Sequence, residues 1–368
     1  MKYITLLTTF VFFFSVNTYS QSLTVSPASE HAGYSENTFP IYHSTLTLNR
    51  NMIKVGEVDI VNPITWSYSD EGLKVAFLQQ KDQVYLTNYD ASGVQLIDRS
   101  LEFFDNSDQT LRVYPFDDGR VIIRDNVANF TFFNAMGEQI YSVSNSSQSS
   151  DGERESELAA DDMGQTIVLY NPLIVYGSDT GSRARIVYGE NRNLVFYSDL
   201  EREISQLKVT DDGSYITLVT TDGNRQTVLI YDRFGNEIYR YVTDDDLLGV
   251  TISTDAEYIT KYTSGRVQTF HITSGEVIGS TSTRGSIVTA YYFPEDEMIV
   301  ALGGTISNRN LTNPTITAVH LGRREIVRED VSGPLSSIKP DEIEIVREYE
   351  GQFRIIGLNQ HLEVSAGF

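Results

Sequence analysis

The chain has 368 residues, with 50 acidic side chains against 28 Lys and Arg, a formal charge of −22 and no cysteine. The missing Cys excludes disulfides, a thiol nucleophile, Fe–S clusters and Cys-ligated zinc, and the acid excess argues against a nucleic-acid binder, whose hold on phosphate comes from Lys and Arg. A composition that is 40% apolar and 11% aromatic is enough for a large core, so a disordered chain is disfavoured too.

At the N-terminus, Lys2, the mostly apolar stretch 4–16 and the small residues Thr18 and Ser20 fit a secretory signal peptide over residues 1–20, cleaved between Ser20 and Gln21. Thr5, Thr8, Thr9 and Ser15 interrupt the stretch, which falls short of the roughly 20 apolar residues of a membrane span. The expectation is export to the periplasm or beyond, with no transmembrane segment after cleavage. Residues 21–54 read as an N-terminal extension and closure strand, and 55–368 as one repeat domain.

The repeat shows as a tight acidic turn followed by a β run. It occurs as Ser69-Asp70-Glu71-Gly72 before 73–77, Asp117-Asp118-Gly119 before 121–123, and Asp161-Asp162-Met163-Gly164 before 167–169. Asp211-Asp212-Gly213, Asp255-Ala256-Glu257, Glu295-Asp296-Glu297 and Pro340-Asp341-Glu342 continue the series. The marker aspartates 70, 118, 162, 212, 255, 296 and 341 lie 41 to 50 residues apart. A second element follows each turn, as in Tyr89-Asp90-Ala91-Ser92-Gly93, Phe133-Asn134-Ala135-Met136-Gly137, Tyr231-Asp232-Arg233-Phe234-Gly235 and His271-Ile272-Thr273-Ser274-Gly275.

Each unit therefore holds four strand signals, A to D, at the length of one propeller blade. Near-equal periods disfavour a β-sandwich, which has no reason to repeat its turns. The fold class expected is all-β, a β-propeller of seven four-stranded blades; eight is the alternative if residues 41–61 add a blade instead of clasping an edge. These turns and corners resemble the WD40-like and quinoprotein-like β-propeller superfamily over residues 55–368. The resemblance implies the fold and not a function; the Trp-Asp ending of that family is missing, and Trp66 is the single tryptophan.

In an antiparallel blade the A–B and C–D turns fall on one face of the disc, the B–C and D–A connections on the other. The acidic turns are all read as A–B, and their charge as ordinary solvated turn chemistry. The B–C side carries Lys81, Arg124, Arg183, Arg185, Arg192, Arg225, Arg266 and Arg309. Pointed inward, Lys81, Arg124, Arg183, Arg185, Arg225, Arg266 and Arg309 are the candidate ligand-binding set for an anionic ligand, such as a uronic-acid glycan or an acidic peptide, because guanidinium groups grip carboxylates bidentately. The competing reading is neutralisation by the adjacent Asp82, Asp125, Asp179 and Asp222. Insertions at 145–157, 171–193 and 303–314 are expected on the same face, where binding specificity resides on such scaffolds.

No metal-ligand spacing, Gly-x-Ser-x-Gly elbow, P-loop or dinucleotide fingerprint occurs, so no catalytic residue, metal or cofactor is assigned. His271 and His320 stand at equivalent places in neighbouring units and read as echoes of the repeat. The function expected is an exported, non-enzymatic module binding a protein or glycan and no nucleic acid. Two alternatives stand beside it: a glycan-cleaving hydrolase or lyase with Arg and acids lining the channel, and a scaffold of an envelope or secretion assembly.

Overall fold

The computed structural model describes residues 21–28, 37–42, 44–69, 71–101, 104, 110–147, 149–150, 152, 154–188, 192–253, 255–283, 285–333 and 335–368. The expected signal peptide 1–20, His31, His43 and the marker Asp70 lie outside them. Among the described residues no helix is long and apolar enough to cross a membrane.

Eight antiparallel sheets follow one another along the chain, each built on four strands running from the innermost (A) to the outermost (D). The protein is an eight-bladed β-propeller. The first blade runs from Thr38–Ile41 to Val58–Val61, the second from Pro63–Tyr68 to Gln95–Leu101, the third from Arg112–Pro115 to Gln139–Ser144 and the fourth from Glu157–Ala160 to Arg192–Asp199. Glu203–Val209 opens the fifth, Leu247–Ile252 the sixth, Ile287–Phe293 the seventh and Glu344–Tyr349 the eighth. The eighth contains only three strands from the C-terminal end; Ser22–Pro27 completes it from the N-terminal side, antiparallel to Leu362–Gly367, with Val25 opposite Val364.

The blade count is eight where the repeat suggested seven, and the first blade explains the difference. Its strands are short and its A–B turn at Tyr42 lacks the acidic marker, so the period runs past it. The expected boundary at 54/55 falls inside its third strand, Met52–Val55. The seventh marker is also displaced. Asp341 lies in a short 3-10 turn, Pro340–Glu342, that leads into the inner strand of the last blade, whose A–B turn is at Glu350-Gly351. Leu362–Gly367 is accordingly the third strand of that blade.

The turns show why the sequence repeats. At the first position of the A–B turn a side-chain oxygen caps the N–H that opens strand B: Ser69 Oγ takes that of Lys74 (3.0 Å), Thr210 Oγ1 that of Tyr215 (3.1 Å) and Ser253 Oγ that of Tyr258 (3.0 Å). Two residues on, Asp118, Asp212 and Asp255 accept the N–H of Arg120, Ser214 and Glu257 at 2.9 to 3.0 Å. Gly213 supplies the left-handed backbone, φ +70°, that closes such a turn with no Cβ in the way. At the C–D corners Asp90, Asn134 and Asp232 accept the N–H four residues ahead, and His271 and His320 use Nδ1 for the N–H three ahead. The two histidines are thus echoes of the corner.

Strand side chains alternate between the two faces of a blade, and each face buries its Val, Ile, Leu and Phe against the next blade. Val75 and Phe77 of the second blade meet Leu46 and Val55 of the first; at the other end Phe353 and Ile355 of the eighth pack with Val300 and Ile316 of the seventh. Trp66 stacks on Phe77 with ring centroids 6.5 Å apart. The insertions at 171–193 and 303–314 are largely extended ladder: Ile167–Tyr176 pairs with Asp179–Tyr188, and Met298–Ser307 with Asn310–His320 around Asn308 and Arg309, both at positive φ as a tight hairpin needs.

Candidate functional site

The B–C cations lie at or near the B–C end of their blades, and the side chains of Lys81, Arg124, Arg183, Arg185, Arg225 and Arg266 have partners within the protein. Arg124 is fully buried, with Nη1 on the Ser156 carbonyl (2.6 Å), Nη2 on Glu155 (3.0 Å) and the Thr110 carbonyl (3.1 Å), and Glu157 at 3.3 Å. It fastens the third blade to the fourth. Arg183 donates to the Ser146 carbonyl and Asn171 Oδ1, and Arg185 to the Ser144 carbonyl, so both tie the fourth blade back to the end of the third. Burial and the like charge of Arg183 lower the affinity of Arg185 for its proton.

Lys81, Arg225, Arg266 and Arg309 are exposed. Lys81 pairs with Asp98 (3.1 Å) and lies over the Tyr85 ring, Arg225 is 3.6 Å from Asp244, and Arg266 Nε donates to Ser280 Oγ (3.2 Å). Arg309, at a hairpin tip, gives its carbonyl to the Ser337 N–H. None of the seven lines the large cavity of the disc.

That cavity, about 990 Å³, borders the A–B turns of the first five blades and reaches the B–C connection of the eighth. Its wall comes from the inner strands and A–B turns of the first five blades, and from the approach, the first two strands and the B–C connection of the eighth. Tyr42, Tyr68, Tyr114 and Tyr170 present rings to it beside Phe39, Phe116, Leu158 and Leu207. Seven carboxylates line it, from Glu71, Asp162, Asp211, Asp341, Glu342, Glu344 and Glu348, against the fixed cations Lys208, Lys339 and Arg354. Glu342 pairs with Lys339 at 2.7 Å and Glu348 with Arg354 at 3.0 Å.

The electrostatics follow from the shape. Asp211 has surface open to the cavity, yet the surrounding protein desolvates it, and that together with neighbouring Asp212 raises its carboxyl above the ordinary range against the pull of Lys208. In Asp212 burial acts upward too, but hydrogen bonds from Ser214 and Thr210 outweigh it and the carboxyl sits low. Burial pushes Tyr114 up to about 12 and Tyr170 higher still, so both stay protonated and neutral. Neutral rings beside carboxylates suit ammonium and guanidinium groups, through the ring faces as well as by charge.

Sequence reasoning passed over these residues. Lys208, Lys339, Tyr114 and Tyr170 carry no motif and meet only because the blades close radially. The acidic character of one face was its single legible trace.

No protein-family model matches the chain, and no curated protein matches its sequence. Among solved structures it is similar to BamB from Moraxella catarrhalis, at 13% identity over 95% of this chain and 100% of that one, TM-score 0.47. The C-terminal WD40 domain of Sif2 is similar at 11% identity, over 90% of this chain and 93% of that one, and the Dos1 propeller at 12%, over 88% and 82%, both with TM-score 0.47. The fold assignment rests on the eight sheets themselves.

Proposed function

We propose that this propeller is an exported interaction module that binds a protein partner by taking a Lys- or Arg-bearing segment into the cavity bordered by the A–B turns of the first five blades. The observation that carries the reading is the lining, in which seven carboxylates and four tyrosines outnumber three fixed cations in a concavity of about 990 Å³. A cavity of that size is in the range that encloses a small ligand or a short peptide segment, and long-range attraction from a chain of net charge −22 favours a basic partner. Export rests on the leader-like residues 1–20. An anionic glycan or peptide on the opposite face would draw instead on Lys81, Arg225, Arg266 and Arg309, the exposed members of the B–C set.

Titration calorimetry with a Lys-Gly octapeptide, its Glu-Gly counterpart and an oligouronate tests the reading. Binding of the lysine peptide alone is expected, weakening in high salt and in Glu344→Gln, and unchanged when Lys81, Arg225 and Arg266 become Ala. Preference for the oligouronate, lost in that triple variant, would reverse the assignment of faces. N-terminal sequencing of the protein recovered from outside the cytoplasm tests export; Gln21 is the expected first residue.

A further inference from the structure

The connection entering the eighth blade does not stay at the rim. Lys339 Nζ donates to the Tyr68 carbonyl of the second blade (3.1 Å), while Lys208 Nζ of the fifth donates to the Asp341 carbonyl (2.8 Å). Lys339 and Asp341 are therefore held from two sides of the cavity they line.

The surroundings of the Lys339 ammonium are those of a bound ligand. Besides the Tyr68 carbonyl it has the Tyr68 ring face, 4.4 Å from Nζ to the centroid, and the Glu342 carboxylate at 2.7 Å. Carbonyl, aromatic face and carboxylate together satisfy an ammonium by hydrogen bond, quadrupole and charge. The ammonium comes from a segment whose local structure is a single 3-10 turn, and the Lys339 side chain retains 20% of its exposure. We propose that Tyr68 and its carbonyl form a lysine-binding subsite which Lys339 occupies in cis, and which a lysine side chain of the incoming partner takes over.

This inference rests on the proposed cationic ligand and adds its subsite and its competitor. An internal occupant lowers apparent affinity by the fraction of time the subsite is filled. Lys339→Met keeps an unbranched side chain one atom shorter and removes the ammonium. Removing any cation from the cavity also raises attraction for a basic ligand, so Arg354→Met serves as the charge control.

The probe is the Lys-Gly octapeptide, with an acetyl-lysine octapeptide beside it, on variants whose circular dichroism and melting match the parent. Lys339→Met is expected to bind the lysine peptide about fivefold more tightly, the worth of one partly exposed cation–π contact with its hydrogen bond. Arg354→Met is expected to gain less, the acetylated peptide to gain nothing, and Tyr68→Leu to abolish the gain in the Lys339→Met background. Lys339→Arg, which refills the subsite, is the variant to use if Lys339→Met folds poorly, and it should bind no more tightly than the parent. Equal gains in Lys339→Met and Arg354→Met, or a gain that survives Tyr68→Leu, would overturn the subsite while leaving the cavity reading intact. No binding of the lysine peptide to any variant would remove both.

Discussion

Arg347 of the eighth blade reaches the carboxylate of Asp296 in the A–B turn of the seventh, with Nε at 2.5 Å, and the Gly351 N–H caps the same carboxylate at 3.0 Å. The Asp296 side chain is 2% exposed and the Arg347 side chain 30%, so the pair joins a buried anion to a partly solvated cation. The acidic turn that marks the repeat here latches the last blade to its neighbour.

Removing the cation leaves that carboxylate buried without its main partner. Arg347→Ala is expected to lower the unfolding free energy by about 2 kcal/mol, below the full cost of a broken buried pair because Arg347 is partly screened. Urea denaturation checks this; an unchanged midpoint would deny the latch any role in stability.

Arg124 is predicted to be more sensitive. Its guanidinium satisfies two carbonyls and two glutamates between the third and fourth blades. Burial acts to lower its pKa, but Tyr114, Glu157 and Glu155 together raise it, so it stays charged. Arg124→Ala should cost about 3 kcal/mol, because it strips the partner from groups that are only partly solvated. The same denaturation measurement applies, and a loss as small as that of Lys81→Ala would contradict the clamp.

The turn and corner carboxylates predict the response to acid. Asp90, Asp212 and Asp232 have lowered pKa values because hydrogen bonds outweigh the upward effect of burial. Groups depressed on folding contribute stability above the unfolded carboxylate value, about pH 4, which disappears as pH falls through the folded values. Melting temperature should therefore drop below about pH 4, and less steeply in the Asp90→Asn, Asp232→Asn double variant. Asp211 has the opposite sign: its raised value means that ionisation costs stability at neutral pH. Asp211→Asn is expected to raise the melting temperature at pH 7 and to lose that advantage in acid.

Closure by Ser22–Pro27 gives another outcome. The strand covers the edge of Leu362–Gly367 through a six-residue register and brings Leu23 into the cluster with Phe353 and Ile355. Deleting residues 21–28 exposes a strand edge and part of that core, so lower melting and concentration-dependent light scattering are expected. A monomer with parental melting would show that the ring needs no closing strand.

The repeat was legible because its residues answer to local rules. Thr210, Asp212 and Asp232 occupy their positions for hydrogen bonds within five residues of themselves, and such constraints recur with the blade. The first blade escaped because Tyr42 stands where the others carry acid. The last was misplaced because Asp341 resembles a turn aspartate while serving a different connection. Arginine roles were not legible: Arg124 and Arg266 belong to one candidate set by their place in the repeat, but one is buried between blades and the other is exposed. The cavity was hidden for the same reason, since Tyr68, Lys208 and Lys339 are brought together only by the ring.

Mapping where a basic ligand touches the disc tests the account most directly. A lysine-rich peptide carrying a benzophenone, photo-cross-linked to the protein and located by mass spectrometry, is predicted to label segments containing Tyr42, Tyr114 or Glu344. Labelling confined to the segments of Lys81, Arg225 and Arg266 would contradict it.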